Sequence, residues 1–335
     1  MMKKRIVVFG ATGNLGAYVV ADLIDRGFEV IAVGKRESDN CFFEGIGATY
    51  YSVDIENPEA FHKLPQEEVY GVAHFAGALP SRYAYNATGL LSSIVLGTKN
   101  VLDYMVRTGA KRIVFPQTPF DLYYLHNTDQ EMEADAPRSF PKTGDHSVYT
   151  LAKNAAVDLI AHYSATYSLD YYVLRFFTIY QYHPNPYHYG DGVHKKMPYR
   201  ILIDKAIQGE PITLWGDPTR SKEMVYIKDF TQVVFRCFSM DAPSGIYNVG
   251  NEKGVSLEEQ IRGIVAVFSP ANAPSEIKYD PTKPNALKAK LDITKTVQAL
   301  GYKQEYSYLA ALQDFYKEMK EEPFAKLWGR KEDYE

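Results

Sequence analysis

Tyr149 and Lys153 are the residues whose types and spacing point most directly to chemistry. They stand four positions apart in the segment Ser147-Val148-Tyr149-Thr150-Leu151-Ala152-Lys153, and a helix places side chains at this spacing on one face. A phenol has an ordinary pKa of about 10, and a neighbouring ammonium stabilises its phenolate form. Such a pair can exchange protons with a hydroxyl or carbonyl substrate at neutral pH. Because the same spacing also arises by coincidence, the prediction depends on a cofactor site at the same edge of the fold.

A glycine-rich turn supplies that second signal. The segment Gly10-Ala11-Thr12-Gly13-Asn14-Leu15-Gly16 follows a short apolar run and opens a helical pattern. In such a turn Gly10 allows the tight bend, Gly13 lets the backbone approach a pyrophosphate, and Gly16 lets the helix pack closely. The alternative is an ordinary strand-to-helix turn, but the β-α-β setting favours a dinucleotide site at the helix N-terminus. The predicted cofactor contacts in this turn are Gly10, Thr12, Gly13, Asn14, Leu15 and Gly16.

The end of the second predicted strand discriminates between the two nicotinamide cofactors. An acidic residue there would hydrogen-bond the free ribose 2′-hydroxyl of NAD, but the strand is followed by Gly34-Lys35-Arg36. The cations Lys35 and Arg36 could pair with a 2′-phosphate, which favours NADP over NAD. Surface cations also serve solubility, so NAD remains the alternative. Asp54, just past the third predicted strand, is placed to meet the adenine amino group.

Short apolar runs alternate with longer amphipathic stretches through the first half of the chain. Strands of a parallel sheet that are buried on both faces form such runs, and their alternation with helices is typical of a doubly wound sheet. We therefore predict an α/β fold with a Rossmann-type parallel sheet, which binds ligands at the carboxyl ends of its strands. The predicted strands are 5–9, 29–33, 49–53, 71–75, 112–115 and 171–174, and the predicted helices are 15–25, 89–107 and 149–166.

The character of the chain changes after residue 176. Residues 180–197 are dense in Tyr, His, Pro and Gly, and prolines discourage a long helix. We predict a smaller, interleaved α/β substrate domain of residues 177–224 and 251–335, while residues 1–176, with 225–250 returning, form the Rossmann domain. The elements predicted after residue 176 are a helix at 199–208, strands at 212–215 and 225–227, and helices near Leu257 and Leu309.

The aromatic stretch that opens this domain has two interpretations. Tyrosines such as Tyr180 and Tyr182 suit the cover of a base or a sugar face, and the alternative is a loop that packs through its tyrosines. The histidines of the stretch are irregularly spaced and lack a nearby carboxylate cluster, which argues against a metal site.

Composition excludes several classes of protein. The 335 residues are 46% hydrophobic and 23% charged, which lies within the globular range and outside the disordered, collagen-like and coiled-coil ranges. The formal net charge of −4 provides no general attraction to nucleic acid or to anionic membranes. No stretch of the sequence reaches the roughly 18 apolar residues of a membrane helix. Two cysteines make neither a disulfide scaffold nor a zinc cluster, which favours a reducing cytoplasm.

Together the motifs resemble the extended short-chain dehydrogenases/reductases of the NAD(P)-dependent epimerase/dehydratase family. Besides the glycine turn and the Tyr149–Lys153 pair, the resemblance rests on Val72-Ala73-His74-Phe75-Ala76-Gly77, Gly97-Thr98-Lys99-Asn100, Leu174-Arg175-Phe176-Phe177, Gly216-Asp217 and Tyr247-Asn248-Val249-Gly250. It implies a Rossmann domain for the cofactor, a smaller domain for a substrate that is frequently a nucleotide sugar, and a homodimer formed through two long helices. It also implies that Thr118 is the third catalytic residue, whereas its alternative role is to cap a loop. The cofactor contacts then extend to Ile55, Phe75, Ala76, Gly77, Tyr149, Lys153 and Phe177.

Departures from the family pattern narrow the predicted reaction. Family dehydratases carry an Asp-Glu pair directly after the catalytic threonine, and decarboxylating members carry a glutamate at the second place. This chain has Pro119 and Phe120 there. Neither side chain can move a proton, so elimination lacks its acid and base unless Asp121, Glu133 or Asp135 replaces them. Epimerisation and carbonyl reduction need only hydride transfer, a tyrosine and a hydroxyl group.

The predicted substrate contacts also depart from the family. Ile94 and Thr178 stand where the family often has asparagine, and Lys222 replaces a frequent arginine. A lysine meets a phosphate as a point charge without the bidentate fork of arginine, which weakens the prediction of diphosphate recognition. Lys195 is a further candidate phosphate ligand.

Three functions follow from these observations. We expect an NAD(P)-dependent epimerase that removes hydride from a sugar, nucleotide-linked by the family resemblance, and returns it to the opposite face. The alternative is an NADPH-dependent carbonyl reductase acting on a non-nucleotide substrate, which the cations after the second strand and the departures at Ile94 and Lys222 favour. The third is a cofactor-binding sensor without catalysis, and the presence of Thr118, Tyr149 and Lys153 argues against it.

Overall fold

A computed structural model of the chain describes residues 3–80, 86–190 and 193–334, and the side chains at positions 145, 189, 190 and 222 lie outside this description. The strands are β1 (Arg5–Phe9), β2 (Glu29–Gly34), β3 (Thr49–Ser52), β4 (Val69–His74), β5 (Arg112–Gln117), β6 (Asp170–Arg175), β7 (Thr178–Tyr180), β8 (Tyr187–Gly190), β9 (Val193–Lys196), β10 (Ile212–Trp215), β11 (Ser221–Lys222), β12 (Met224–Tyr226), β13 (Gly245–Asn248), β14 (Val255–Ser256) and β15 (Ile277–Asp280). The helices are α1 (Asn14–Asp25), α2 (Phe42–Gly45), α3 (Ala87–Leu91), α4 (Gly97–Thr108), α5 (Asp145–Tyr167), α6 (Pro198–Gln208), α7 (Ile227–Ser239), α8 (Leu257–Phe268), α9 (Thr294–Leu300), α10 (Tyr308–Glu321) and α11 (Ala325–Trp328). A π-helical segment, Ser92–Leu96, joins α3 to α4, and 3-10 helices cover Pro58–Lys63, Pro119–Leu125 and Lys331–Tyr334.

Seven of the described strands form one parallel sheet in the order β13-β6-β5-β4-β1-β2-β3. Alternate residues of β1 enter two cores: Ile6 and Val8 pack with α1 and α7, whereas Val7 and Phe9 pack with α4 and α5. Because both faces are covered, β1 is a continuous apolar run. The strand order reverses between β1 and β4, so a crevice opens at the carboxyl ends of these strands, where Rossmann folds bind dinucleotides. The predicted Rossmann-type α/β fold is confirmed.

The observed elements differ from the predicted ones in several places. All six predicted strands lie in the sheet, and β13 adds a seventh strand beside β6. The helix predicted at 89–107 is interrupted by the π-helical segment. The strand predicted at 225–227 ends at Tyr226, because the amphipathic helix α7, which the sequence analysis missed, begins at Ile227. The loop predicted at 180–197 contains the hairpin β8–β9, whose strands are four residues each and carry no apolar alternation.

A third hydrophobic core lies outside the sheet. It is formed by buried residues of α6, β10, α8 and α10, among them Ile203, Leu214, Ile264 and Phe315. All of these belong to the predicted substrate domain, and the division of the chain into two domains at the given boundaries stays a prediction. None of the helices in the described ranges combines the length and the apolar character that a membrane crossing requires.

Candidate active site

A cavity of about 930 Å³ opens at the carboxyl edge of the sheet. Its wall combines the glycine-rich turn after β1 with the segments that follow β2, β4, β5 and β6 and with one face of α5. The fold therefore brings together residues that are far apart in the sequence, although their roles remain predictions. The residues predicted from the sequence that line this cavity are Gly10, Thr12, Gly13, Asn14, Leu15, Gly16, Lys35, Asp54, Ile55, Phe75, Ala76, Gly77, Thr118, Tyr149, Lys153, Phe177 and Thr178.

The geometry of the glycine-rich turn fits a dinucleotide. Gly10 has a φ of 82°, and a Cβ there would lie 2.6 Å from the backbone nitrogen of Ala76. A Cβ at Gly16 would lie 2.1 Å from the carbonyl oxygen of Gly10. At Gly13 the nearest described atom is that same oxygen, at 3.2 Å, so this residue leaves the backbone open to the cavity. Since Gly13 has no side chain to cap α1, the N–H groups of the first helical turn are available to a pyrophosphate.

The wall after β2 contains a cation and a carboxylate. A Cβ at Gly34 would lie 2.9 Å from both the Thr12 side chain and the hydroxyl oxygen of Tyr50, so a larger residue has no room there. Lys35 lies in the wall, and its Nζ is 2.7 Å from Oδ2 of Asp54. Burial favours a raised pKa for Asp54, but hydrogen bonds from the Lys35 ammonium and a backbone amide outweigh it, so the pKa lies below its ordinary value. Asp54 is thus the ionised partner of Lys35.

Arg36 has a different partner. Its guanidinium donates a 2.8 Å hydrogen bond to the carbonyl oxygen of Leu327, and it is not among the described residues that line the cavity. Of the two cations predicted to meet a 2′-phosphate, the structure places Lys35 in the cavity wall and Arg36 outside it.

Tyr149 and Lys153 both face the cavity from α5, as their spacing predicts. The Nζ atom of Lys153 donates a 2.9 Å hydrogen bond to the carbonyl oxygen of Pro116 and lies 5.8 Å from the centre of the Tyr149 ring. Burial raises the pKa of the Tyr149 phenol above its ordinary value and lowers the pKa of Lys153 to about 7. The phenol is therefore protonated at rest, and the amine beside it exchanges its proton near neutral pH.

Thr118 links the end of β5 to the cavity and to α5. Its Oγ1 accepts a 3.3 Å hydrogen bond from the N–H of Phe120, so it caps the following 3-10 helix while it lines the cavity. The N–H of Thr118 donates to Oε1 of Gln117, and Nε2 of Gln117 donates to Oδ1 of Asn154, each over 2.9 Å. Because Asn154 lies on α5, this chain of hydrogen bonds fixes Thr118 relative to the helix that carries Tyr149.

The carboxylates considered as substitutes for a dehydratase pair are held outside the cavity wall. Asp121 is fully buried and receives a bidentate ion pair from Arg175, whose Nε and Nη2 lie 3.0 and 2.8 Å from its two oxygens. Asp135 pairs with Lys295 at 2.9 Å, and Glu133 is exposed. Asp121 therefore has a structural partner that occupies both of its oxygens.

The model of the NAD dependent epimerase/dehydratase family matches residues 6–250. The chain belongs to this family. It is 24% identical over 307 residues to the putative UDP-glucose 4-epimerase of Methanocaldococcus jannaschii, covering 90% of this chain and 93% of that protein. It is 25% identical over 309 residues to UDP-glucuronic acid decarboxylase 1 of Arabidopsis thaliana, covering 90% of this chain and 67% of that protein. The crystal structure of the Thermus thermophilus UDP-glucose 4-epimerase in complex with NAD shares the fold, with a TM-score of 0.70, 22% identity and coverage of 93% and 99% of the two chains.

Family membership confirms the prediction of an enzyme of the extended short-chain dehydrogenase/reductase type. The residues that sequence analysis assigned to the substrate of this epimerase/dehydratase enzyme are dispersed. Thr178 lies in the cavity wall. Lys195 is exposed on β9 and is not among the described residues of that wall. The Lys222 side chain lies outside the described part of the structure, and Ile94 belongs to the core beneath α4.

The aromatic stretch of this enzyme also differs from one expectation. Tyr180 and Tyr182 are buried, with exposures of 9% and 1%. Tyr182 packs in the third core, and the ring of Tyr180 packs against that of Tyr199 with a centroid distance of 4.8 Å and a tilt of 33°. Tyr180 and Tyr182 therefore pack the fold, and neither is in the described cavity wall.

The polar residues of the cavity wall that sequence analysis missed include His146 and Gln181. His146 precedes Tyr149 by three positions on α5, and its ring stacks on that of Phe120 with a centroid distance of 4.5 Å and an interplanar angle of 6°. Gln181 is buried in the wall, and its Oε1 has no hydrogen-bond partner among the described residues. The helical spacing from Tyr149 was a signal for His146, whereas no spacing marked Gln181. In the described ranges, no three His, Cys, Asp or Glu side chains are grouped to hold a metal ion.

Proposed function

We propose that the protein is an NAD(P)-dependent epimerase that acts on a sugar nucleotide. The observation that carries the proposal is the convergence of Thr118, Tyr149 and Lys153 on the cavity that the glycine-rich turn also lines. The bound cofactor would supply the acceptor for a hydride and would return that hydride to the opposite face of the sugar. The first turn of α1 would hold the pyrophosphate of the cofactor, and Lys153 would hold the nicotinamide ribose.

The side chains of the site divide the proton chemistry between them. Tyr149 accepts the proton of the reacting sugar hydroxyl and later returns it. The phenol, which is protonated at rest, first releases its own proton to water. The ammonium form of Lys153 stabilises the resulting phenolate, which is the form of Tyr149 that then accepts the proton of the hydroxyl. Since Oγ1 of Thr118 already accepts a hydrogen bond from the N–H of Phe120, its own O–H remains to donate to the substrate oxygen.

The positions of the carboxylates favour epimerisation over elimination and decarboxylation. Among the described residues of the cavity wall, the carboxylates are Asp54 and Glu56. Both carboxylates lie beside Lys35, at 2.7 and 3.9 Å from its Nζ, in the part of the cavity wall formed by the segments after β2 and β3. The end near Thr118 presents Pro119 and Phe120 instead, and neither can act as an acid or a base.

The direct test is to incubate the purified protein with UDP-glucose, UDP-N-acetylglucosamine or UDP-glucuronic acid and with NAD or NADP. We expect the 4-epimer of one sugar nucleotide to form, with a trace of reduced cofactor and no net consumption. Product separation by anion-exchange chromatography and the absorbance of the reduced cofactor measure the two quantities. Release of carbon dioxide or loss of water from the sugar would contradict the assignment.

We also propose that Lys35 gives NADP the advantage over NAD. The support is that Lys35 lies in the cavity wall. In addition, the strand ends in Gly34, where a Cβ has no room, so no acidic side chain stands there to bind a ribose 2′-hydroxyl. Denaturing the purified protein, identifying the released nucleotide by mass, and titrating the cofactor-free protein with both nucleotides tests this. Retained NAD would overturn the role of Lys35 and leave the epimerase proposal intact.

One observation favours the second candidate, an NADPH-dependent carbonyl reductase with a non-nucleotide substrate. The lysines of the described cavity wall are Lys35 and Lys153. The segment after β6 and the later Leu287 contribute uncharged residues to the wall, namely Phe176, Phe177, Thr178, Ile179, Gln181 and Leu287. This part of the described wall therefore offers no arginine or lysine to bind a diphosphate. Loss of one NADPH for each substrate molecule would establish the reductase.

We propose further that the enzyme is a homodimer in the cytoplasm. The support for the dimer is a set of exposed leucines on neighbouring elements of one side, Leu91 of α3, Leu96 of the π-helical segment and Leu151 of α5, with exposures of 45%, 58% and 44%. The support for a reducing compartment is that Cys41 and Cys237 are free thiols. Cell fractionation tests the location.

A further inference from the structure

The segment Phe324 to Trp328, which we call the C-terminal strap, lies against the glycine-rich turn of the cofactor site. The indole Nε1–H of Trp328 donates a 3.0 Å hydrogen bond to the carbonyl oxygen of Thr12, and Trp328 is 4% exposed. Thr12 belongs to the cavity wall. The strap therefore contacts a residue of the proposed dinucleotide site directly, although the two are more than three hundred residues apart along the chain.

Aromatic packing holds the strap in this place. The ring of Phe324 lies 4.5 Å from that of Tyr18 on α1, 5.5 Å from that of Phe42 on α2 and 4.6 Å from that of Trp328. The strap thus packs against α1, whose first residues line the cavity, and against α2.

Polar contacts tie the strap to the loop after β2. Arg36 donates to the carbonyl oxygen of Leu327 at 2.8 Å, and Nδ2 of Asn40 donates to that of Lys326 at 3.0 Å. In return, Nζ of Lys326 donates to the carbonyl oxygen of Cys41 at 3.0 Å. Asn40 and Cys41 both have left-handed backbones, with φ of 57° and 54°, a conformation that non-glycine residues adopt only where their surroundings hold it.

We propose that the C-terminal strap is a positioning element of the cofactor site. It fixes the Thr12 carbonyl and the 36–41 loop in the conformation that receives the dinucleotide, and it thereby sets the affinity for the cofactor. In this arrangement Arg36 is a tether between the loop and the strap, and Lys35 is the cation that faces the cofactor. The inference rests on the proposed nicotinamide cofactor, and it concerns binding, because the described contacts of the strap do not include Thr118, Tyr149 or Lys153.

The chain offers a matched pair of tryptophans for the test. Trp328→Phe keeps a ring that can pack against Phe324 and removes the N–H that donates to Thr12. The control is Trp215→Phe, since Trp215 is 53% exposed on β10. We expect Trp328→Phe to weaken cofactor binding by roughly three- to tenfold, with kcat at saturating cofactor unchanged, and Trp215→Phe to match the wild type. Calorimetric titration with NAD and NADP, steady-state kinetics in both cofactor and sugar nucleotide, and thermal unfolding measure these effects.

Unchanged cofactor affinity in Trp328→Phe would overturn the inference, even if the unfolding temperature fell. Should this variant fail to fold, Asn40→Gly decides, because glycine adopts the left-handed backbone readily and lacks the donor to Lys326. Weaker cofactor binding in Asn40→Gly supports the strap, and wild-type binding overturns it. A wild-type protein that binds neither nucleotide would overturn the proposed function and the inference with it, whereas normal wild-type binding with unaffected variants would overturn the inference alone.

Discussion

The phenol of Tyr149 is the group on which the proposed chemistry depends. Tyr149→Phe keeps the ring on α5 and removes the hydroxyl, so we expect turnover to fall by roughly 10²- to 10⁴-fold while the cofactor still binds. Steady-state epimerisation and cofactor titration measure the two effects. Tyr163→Phe is the matched control on the same helix, since the Tyr163 hydroxyl donates to Asp103 at 2.6 Å and is not in the described cavity wall. Full turnover in Tyr149→Phe would remove Tyr149 from the mechanism.

The ion pair of Asp121 and Arg175 is a second residue-scale feature, and we assign it to stability. Both side chains are fully buried, so Asp121→Asn leaves the Arg175 guanidinium without its charge partner. We expect the free energy of unfolding to fall by about 3–5 kcal/mol. Asp135→Asn breaks the pair with Lys295, in which the Asp135 side chain is 72% exposed, and we expect a loss below about 1 kcal/mol. Denaturant unfolding compares the two variants, and equal losses would contradict this assignment.

Between β11 and β12, Glu223 gives an element-scale prediction about pH. The residue is buried, its Oε2 accepts a 2.9 Å hydrogen bond from the N–H of Asn251, and its Oε1 has no partner among the described residues. Burial raises its pKa to about 7, against the smaller lowering effects of the Asn251 amide and the Lys290 charge. The folded protein therefore binds more protons than the unfolded chain between pH of about 4 and 7, so this contribution to stability is present at low pH and is lost as the pH rises through 7.

Glu223→Gln removes that titration. We expect the variant to be more stable than the wild type at pH 8, by up to about 3 kcal/mol, and to match it near pH 4. Unfolding by denaturant at the two pH values measures the difference. The control is Glu133→Gln, which changes an exposed carboxylate. We expect its stability to depend on pH as that of the wild type does. A pH-independent difference between Glu223→Gln and the wild type would mean that the carboxyl does not titrate in the folded protein.

Elements with a local pattern were predictable from the sequence, and those defined by distant partners were not. The apolar run of β1 and the glycines after it form a pattern that lies within a dozen residues of sequence. The spacing of Tyr149 and Lys153 is equally local. The pairing of β13 with β6 joins segments about seventy residues apart. β13 itself has too few residues to show a hydrophobic periodicity that would predict a strand. Arg36 shows the same limit within the site: its type predicted a phosphate ligand, but its partner is Leu327, 291 residues further on.

At the scale of the whole molecule, the cavity lies where chain segments from the entire sequence meet. The sheet supplies the strand ends, α5 supplies Tyr149 and Lys153, and Leu287, far along the chain, also reaches the wall. The strap then returns to the glycine-rich turn through Trp328. This contact gives the proposed effect of the strap its physical basis, since the docking of the C-terminal part of the chain fixes a residue of the proposed cofactor site.

The proposed homodimer is the remaining whole-molecule prediction. A single exposed leucine is common on a protein surface, but exposed leucines on adjacent elements form the kind of apolar patch that marks an interface. In a two-fold dimer each substitution changes both sides of the interface, so we expect Leu96→Asp combined with Leu151→Asp to convert a wild-type dimer into a folded monomer. Sedimentation velocity measures the mass, and circular dichroism checks the fold. Leu309→Asp is the matched control, because Leu309 is 45% exposed on α10, and we expect it to remain dimeric. A monomeric wild type, or a dimer that survives both substitutions, would contradict an interface on this side of the molecule.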